Sequence, residues 1–120
     1  MSRSSELLKL RYLKNIKENP ELFVGIELEY PVTNLEGDAT DVEVIKRLFR
    51  YLVSALNLAV EKVDDFGNPI QLVDPVSQDA ILFEVSYTTI EFAFGKAETI
   101  QEVEERFSIY MEAIQKKLAE

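Results

Sequence analysis

Apolar side chains recur every three to four residues in three stretches of this chain and at every second position in four others, the spacings of helices and strands respectively. From Ser5 to about Glu18, Leu10, Leu13 and Ile16, with Tyr12 beside them, form a stripe that leaves the lysines outside, which predicts a first helix ended by Asn19-Pro20. A strand is predicted from Leu22 to Thr33, with Pro31 admissible only at a sheet edge or a bulge because it cannot donate to a ladder. Beyond a polar loop at Gly37-Asp38, Thr40-Asp41-Val42-Glu43 has the form of a capping box. Ile45, Leu48, Phe49, Leu52, Val53 and Leu56 give the helix behind it a broad core-facing side. Leu58 to Val63 and Pro69 to Val73 read as a hairpin closed by Asp64-Asp65-Phe66-Gly67-Asn68. The acids of that loop, like Asp74, suit turns because aspartate accepts from nearby backbone amides. A last strand region runs from about Ala80 to Gly95, and a second capping box, Thr99-Ile100-Gln101-Glu102, opens a helix to the end of the chain. Its buried stripe is Ile100, Val103, Phe107, Met111, Ile114 and Leu118.

These elements predict an α+β fold in a single domain over residues 1–120: a mainly antiparallel sheet of about four strands, one face covered by two or three helices and the other open. The open face draws attention because two strand segments are acidic on one side. In Gly25-Ile26-Glu27-Leu28-Glu29-Tyr30-Pro31, both carboxylates fall on the face opposite Ile26, Leu28 and Tyr30. In the segment from Glu84 to Phe94, Ile90, Phe92 and Phe94 point into the core, which leaves Glu91 between Thr89 and Ala93 on the other face. Glu84 and Glu91 are seven residues apart, so one regular strand would aim them at opposite faces, and a bulge or bend near Ser86 to Thr88 is expected to realign them. Carboxylates flanked by Gly, Ala and Thr, with no long basic side chain beside them, suit a hard divalent cation that keeps room for water and phosphate. A solvated outer sheet face shows the same alternation.

The G-I-E-x-E pattern and the second block, an acid, six intervening residues and another acid entering an apolar strand ahead of a long amphipathic helix, together resemble the glutamate-cysteine ligase family, also called gamma-glutamylcysteine synthetase, and its carboxylate-amine ligase relatives. The likeness runs from about Phe23 to Leu118 and corresponds to the N-terminal part of enzymes several hundred residues long. It implies part of a glutamine-synthetase-like catalytic domain that joins the γ-carboxylate of L-glutamate to the amino group of L-cysteine with ATP cleavage, through an acyl phosphate. It also implies that Glu27, Glu29, Glu84 and Glu91 ligate two or three Mg2+ (or Mn2+) ions bridging ATP phosphates and the substrate carboxylate, an electrostatic role with no catalytic nucleophile among them. Tyr87, Thr88 and Thr89 lie between two of these ligands, where their hydroxyls could bond substrate or support a carboxylate, or simply pack in the strand. No Arg or Lys has a motif-based claim on phosphate, Arg47, Arg50 and Arg106 being explained by ordinary surface pairing, so these residues alone are expected to be inactive. A ligase for a different amine acceptor, or a non-enzymatic acidic interaction or oligomerisation module on the same scaffold, fits the same residues. A homo-oligomer formed through an exposed sheet edge belongs with the second of these.

Composition narrows the chemistry further. At 120 residues the chain can bury an ordinary core without disulfides, and with neither Cys nor His it contains no thiol, Ser-His-Asp or His-zinc chemistry. A formal charge of −9 argues against binding to nucleic acid or anionic lipid, which require a basic face, and leaves cations or neutral surfaces as partners. No apolar run is long enough for a membrane span. The N-terminus, with Arg3, Lys9, Arg11, Lys14 and Lys17 among leucines, has the composition of a transit peptide. It lacks a cleavage-like stretch and is periodic enough for a structural helix, so a cytoplasmic location is expected.

Overall fold

Five strands and three helices make up the fold in a computed structural model that describes residues 1–120. In chain order they are α1 (Arg3–Leu13), β1 (Glu27–Pro31), α2 (Val42–Ala55), β2 (Ala59–Val63), β3 (Pro69–Val73), β4 (Ala80–Glu84), β5 (Ser86–Ala93) and α3 (Ile100–Leu118). The sheet is antiparallel throughout, in the order β1-β5-β4-β3-β2. Short turns build β2 to β5 as a meander, whose last strand, β5, comes back to pair with β1 on its free side. The expected α+β class therefore holds, with five strands rather than about four.

The added strand comes from the region between Ala80 and Gly95, which is a hairpin rather than one run. Val85 takes a left-handed backbone, φ 63°, between Glu84 and Ser86, and the β4–β5 ladder slips there from Phe83 opposite Ile90 to Glu84 opposite Ser86. Pro31 lies at the end of β1, an edge strand, where its missing amide leaves no ladder position inside the sheet unsatisfied.

The core lies between one sheet face and α2 with α3. Ile45, Leu48, Phe49 and Leu52 of α2 and Val103, Tyr110 and Ile114 of α3 close over Leu72, Ile81, Ile90 and Phe92 of the sheet. Phe92 organises one half, with Tyr30 edge-on at 6.0 Å and Phe107 edge-on at 5.5 Å; Phe49 stacked on Phe83 at 4.1 Å organises the other. Both covering helices start at side-chain caps. In α3 Thr99 accepts from the Glu102 amide as the capping box requires, while the Glu102 carboxylate reaches back to the amide of Glu98. In α2 the cap is Asp41, which accepts from the Glu43 amide, one residue later than the Thr40 box predicts. Ile100 and Leu118, the first and last residues of α3, are exposed instead of joining its buried stripe, because the ends of the helix extend past the body it packs on.

The first helix departs further from expectation. It ends at Leu13 rather than near Glu18 and buries no residue. Leu7, Leu10 and Leu13 share one side, but Leu8 and Tyr12 lie off it and the helix stops before Ile16, so the expected stripe is incomplete and finds no seat on the body of its own chain. The molecule is drawn out to 64 × 31 × 27 Å in consequence. No helix is long and apolar enough to cross a membrane.

Candidate metal and nucleotide site

Register brings the four glutamates to the sheet face that no helix covers. Leu28 and Tyr30 pair with Phe92 and Ile90 on the core side, so Glu27 and Glu29 fall on the other side, opposite Ala93 and Glu91. On the far flank of β5, Ile81 and Phe83 pair with Phe92 and Ile90, which turns Leu82 and Glu84 outward and sets Leu82 against Glu91. The interruption expected between Glu84 and Glu91 is thus a chain reversal at Val85, which places the two acids on neighbouring strands.

Electrostatics identify Glu91 as the centre of the group. Its carboxyl is held above the ordinary glutamate range, first by partial burial, then by a hydrogen bond with the Glu84 carboxyl and by the negative charges of Glu27, Glu84 and Glu29. Like charges directly opposed across a ladder, as Glu29 and Glu91 are, destabilise the sheet. The three ion pairs of the molecule, Lys46–Glu43, Arg106–Asp79 and Lys117–Glu120, all lie elsewhere. Donor chemistry of this kind, all hard oxygen with unbalanced negative charge, fits Mg2+ or Mn2+. The side chains as they stand do not enclose a common point, since no group of three or more acids is arranged to hold an ion, and binding would require glutamate rotamers to turn inward.

The hydroxyl residues between the acids divide. Thr89, opposite Pro31, shares the uncovered face with Glu91. Thr88 exchanges a 3.1 Å hydrogen bond with Ser86, and its carbonyl accepts from the Val32 amide. Tyr87 is carried to the helix side by the slipped register: its ring lies 4.7 Å from that of Phe83, Lys46 of α2 sits 5.7 Å from its centre, and its hydroxyl donates to Asp64. That bond, with others from Asn68 and Phe66, holds the Asp64 carboxyl well below the usual range, and the same bond, ahead of burial and the negative charge of Asp64 and Asp65, pushes the Tyr87 hydroxyl up. Asp64 also accepts from the amides of Phe66 and Asn68, and Asp74 from those of Val76 and Ser77, so both serve turns as expected.

A second carboxylate fixes the far end of the sheet. Asp79 is only 2 % exposed, yet it accepts from Arg106 Nε at 2.8 Å, Tyr110 Oη at 2.7 Å and the Gly95 amide at 2.7 Å. Burial alone would raise its pKa, but these donors together outweigh burial and lower it. Arg106 therefore ties α3 to the strand ends instead of pairing at the surface, donating also to the Gly95 carbonyl. Spacing gave no sign of this, because the partners are 27 and 31 residues from Asp79. Gly95 is required there for space: a β-carbon would sit 2.0 Å from the Ser77 carbonyl oxygen.

Set against known protein families, curated proteins and solved structures, the chain gives no significant match. The two acidic blocks remain the whole basis of its resemblance to the glutamate-cysteine ligases.

Proposed function

We propose that this chain is the N-terminal metal and nucleotide half-site of an ATP-dependent glutamate-cysteine ligase, in a glutamine-synthetase-like catalytic domain. One observation carries the reading: Glu27, Glu29, Glu84 and Glu91, drawn from three strands, share the uncovered sheet face with no ion-pair partner, and Glu91 bears the repulsion of the other three. Such a face is unfavourable until a cation arrives. In phosphoryl transfer from ATP to a carboxylate, two anions must approach, and the protein contributes mainly position and positive charge. The four glutamates would hold Mg2+, which supplies that charge, while Thr89 would lie beside the substrate and Leu82 would form a dry floor next to Glu91. Basic groups for the phosphates and the pocket for L-cysteine would come from further residues of the intact ligase, so this chain by itself is expected to give no glutamate- and cysteine-dependent ADP release.

The test is thermal unfolding with and without millimolar Mg2+, for the parent and for a Glu27→Gln, Glu91→Gln double variant. An ion bound only to the folded chain stabilises it by about 2.7 kcal/mol at a hundredfold excess over Kd. The parent should gain melting temperature with Mg2+ and the variant should not; equal responses would sink the assignment.

A further inference from the structure

We propose that α1 is a docking arm that seats in the apolar groove between β1 and α3 of a second copy of this chain, giving a reciprocal dimer. The arm buries nothing against its own body: Leu7, Leu10 and Leu13 recur every third residue along one side, all about half exposed or more. The groove lies at the Pro31 end of β1, walled by Tyr30, Ile90, Phe92, Met111, Ile114 and Leu118, with a cavity of about 190 Å³. That is smaller than the roughly 300 to 1,000 Å³ of small-molecule sites and suits side-chain anchors of a helix laid into a groove.

Charge selects the occupant. Residues 1–17 hold five basic side chains and one acid, a net of +4, which leaves −13 on the remainder of a chain whose total is −9. Two such bodies repel, and the arm is the segment whose charge draws them together. The same −13 opposes an anionic lipid surface as the arm's destination. The groove itself is lined by no charged residue, so charge guides the approach and the apolar walls provide the seat. Chain direction then favours the second copy over the same molecule. Val24 is pinned to Ala97 at the opposite end of β1 from the groove, so the arm leaves the body on the far side. Exchange of identical arms closes under two-fold symmetry.

Sedimentation equilibrium of the parent at about 100 µM should show a dimer that weakens as salt rises, in keeping with screening over about 10 Å at 0.1 M. Leu10→Glu with Leu13→Glu, and separately Leu118→Glu, should each raise the dimer dissociation constant at least tenfold. In protein dilute enough to be monomeric, the arm variant should leave the unfolding midpoint unchanged, because it alters no residue buried within the single chain. As the chain has no cysteine, mixing Leu10→Cys with Leu118→Cys chains under mild oxidation should trap a disulfide-linked heterodimer. A monomeric parent, a dimer indifferent to both sets of glutamates, or a Leu10→Cys, Leu118→Cys double variant that closes within one molecule would each overturn the proposal. So would arm-dependent binding to phosphatidylserine vesicles by a chain that stays monomeric.

Discussion

Glu91 and Asp79 show how the same functional group takes opposite roles in one small sheet. Partial burial and then the surrounding carboxylates raise the pKa of Glu91; around Asp79 are three donors, and its pKa is lowered although it is more deeply buried. The consequences for stability have opposite signs. A raised carboxyl binds more protons in the folded than in the unfolded chain, so its contribution falls as pH climbs from the ordinary 4.5 through the raised value. Without divalent cations, Glu91→Gln should therefore melt above the parent at pH 7, with the margin vanishing below pH 4.5. Glu29→Gln removes the directly opposed like charge and should gain about 0.2–1 kcal/mol, a rise of at most a few degrees. For Asp79 the stabilising contribution is present above its unfolded pKa and is lost as pH falls through the lowered one. Asp79→Ala strips the acceptor from Arg106 and Tyr110 and should cost about 3 kcal/mol in urea unfolding, the low end for a broken buried pair because Arg106 is partly exposed. A loss under 1 kcal/mol would show that water replaces the carboxylate.

Among the elements, the β4–β5 hairpin decides whether the four glutamates share a face. Its reversal rests on Val85, a β-branched residue at φ 63° that is fully exposed, so no burial compensates its backbone strain. Left-handed backbone costs an ordinary residue roughly 1–2 kcal/mol, whereas glycine adopts it freely at an entropic cost of about 0.5–1 kcal/mol. Val85→Gly should thus be neutral to about 1 kcal/mol stabilising, read as a higher urea midpoint with unchanged slope. A clear destabilisation would show that the turn is held in another conformation. The turn was only partly legible beforehand: the odd spacing of Glu84 and Glu91 demands an interruption, but nothing local distinguishes a bulge from a full reversal, since valine is among the residues least suited to either.

At the scale of the molecule, a sheet covered on one side leaves an acidic face, two edge strands and a projecting helix. An α1 of eleven residues is marginal in water unless something packs on it. Its amides should exchange with solvent far faster than those of α2 in dilute protein, and slow when the protein is concentrated enough for arms to exchange. Protection of α1 equal to that of α2 at every concentration would mean that the arm packs on its own body.

Periodicity and caps were enough to locate both covering helices, the β2–β3 hairpin, the edge position of Pro31 and the side of β1 that carries Glu27 and Glu29, because each depends on residues close in sequence or on a repeat of two or 3.6. The α1 stripe misled for the same reason: apolar spacing reports what a helix could bury, and only the body decides whether a seat exists. Tertiary structure alone set Glu29 against Glu91, folded Glu84 beside them, drew Tyr87 away to Asp64 and joined Asp79 to Arg106 and Tyr110. Those pairings join residues 23 to 62 positions apart or hang on one backbone reversal, and they depend on strand order and register, which no local pattern encodes.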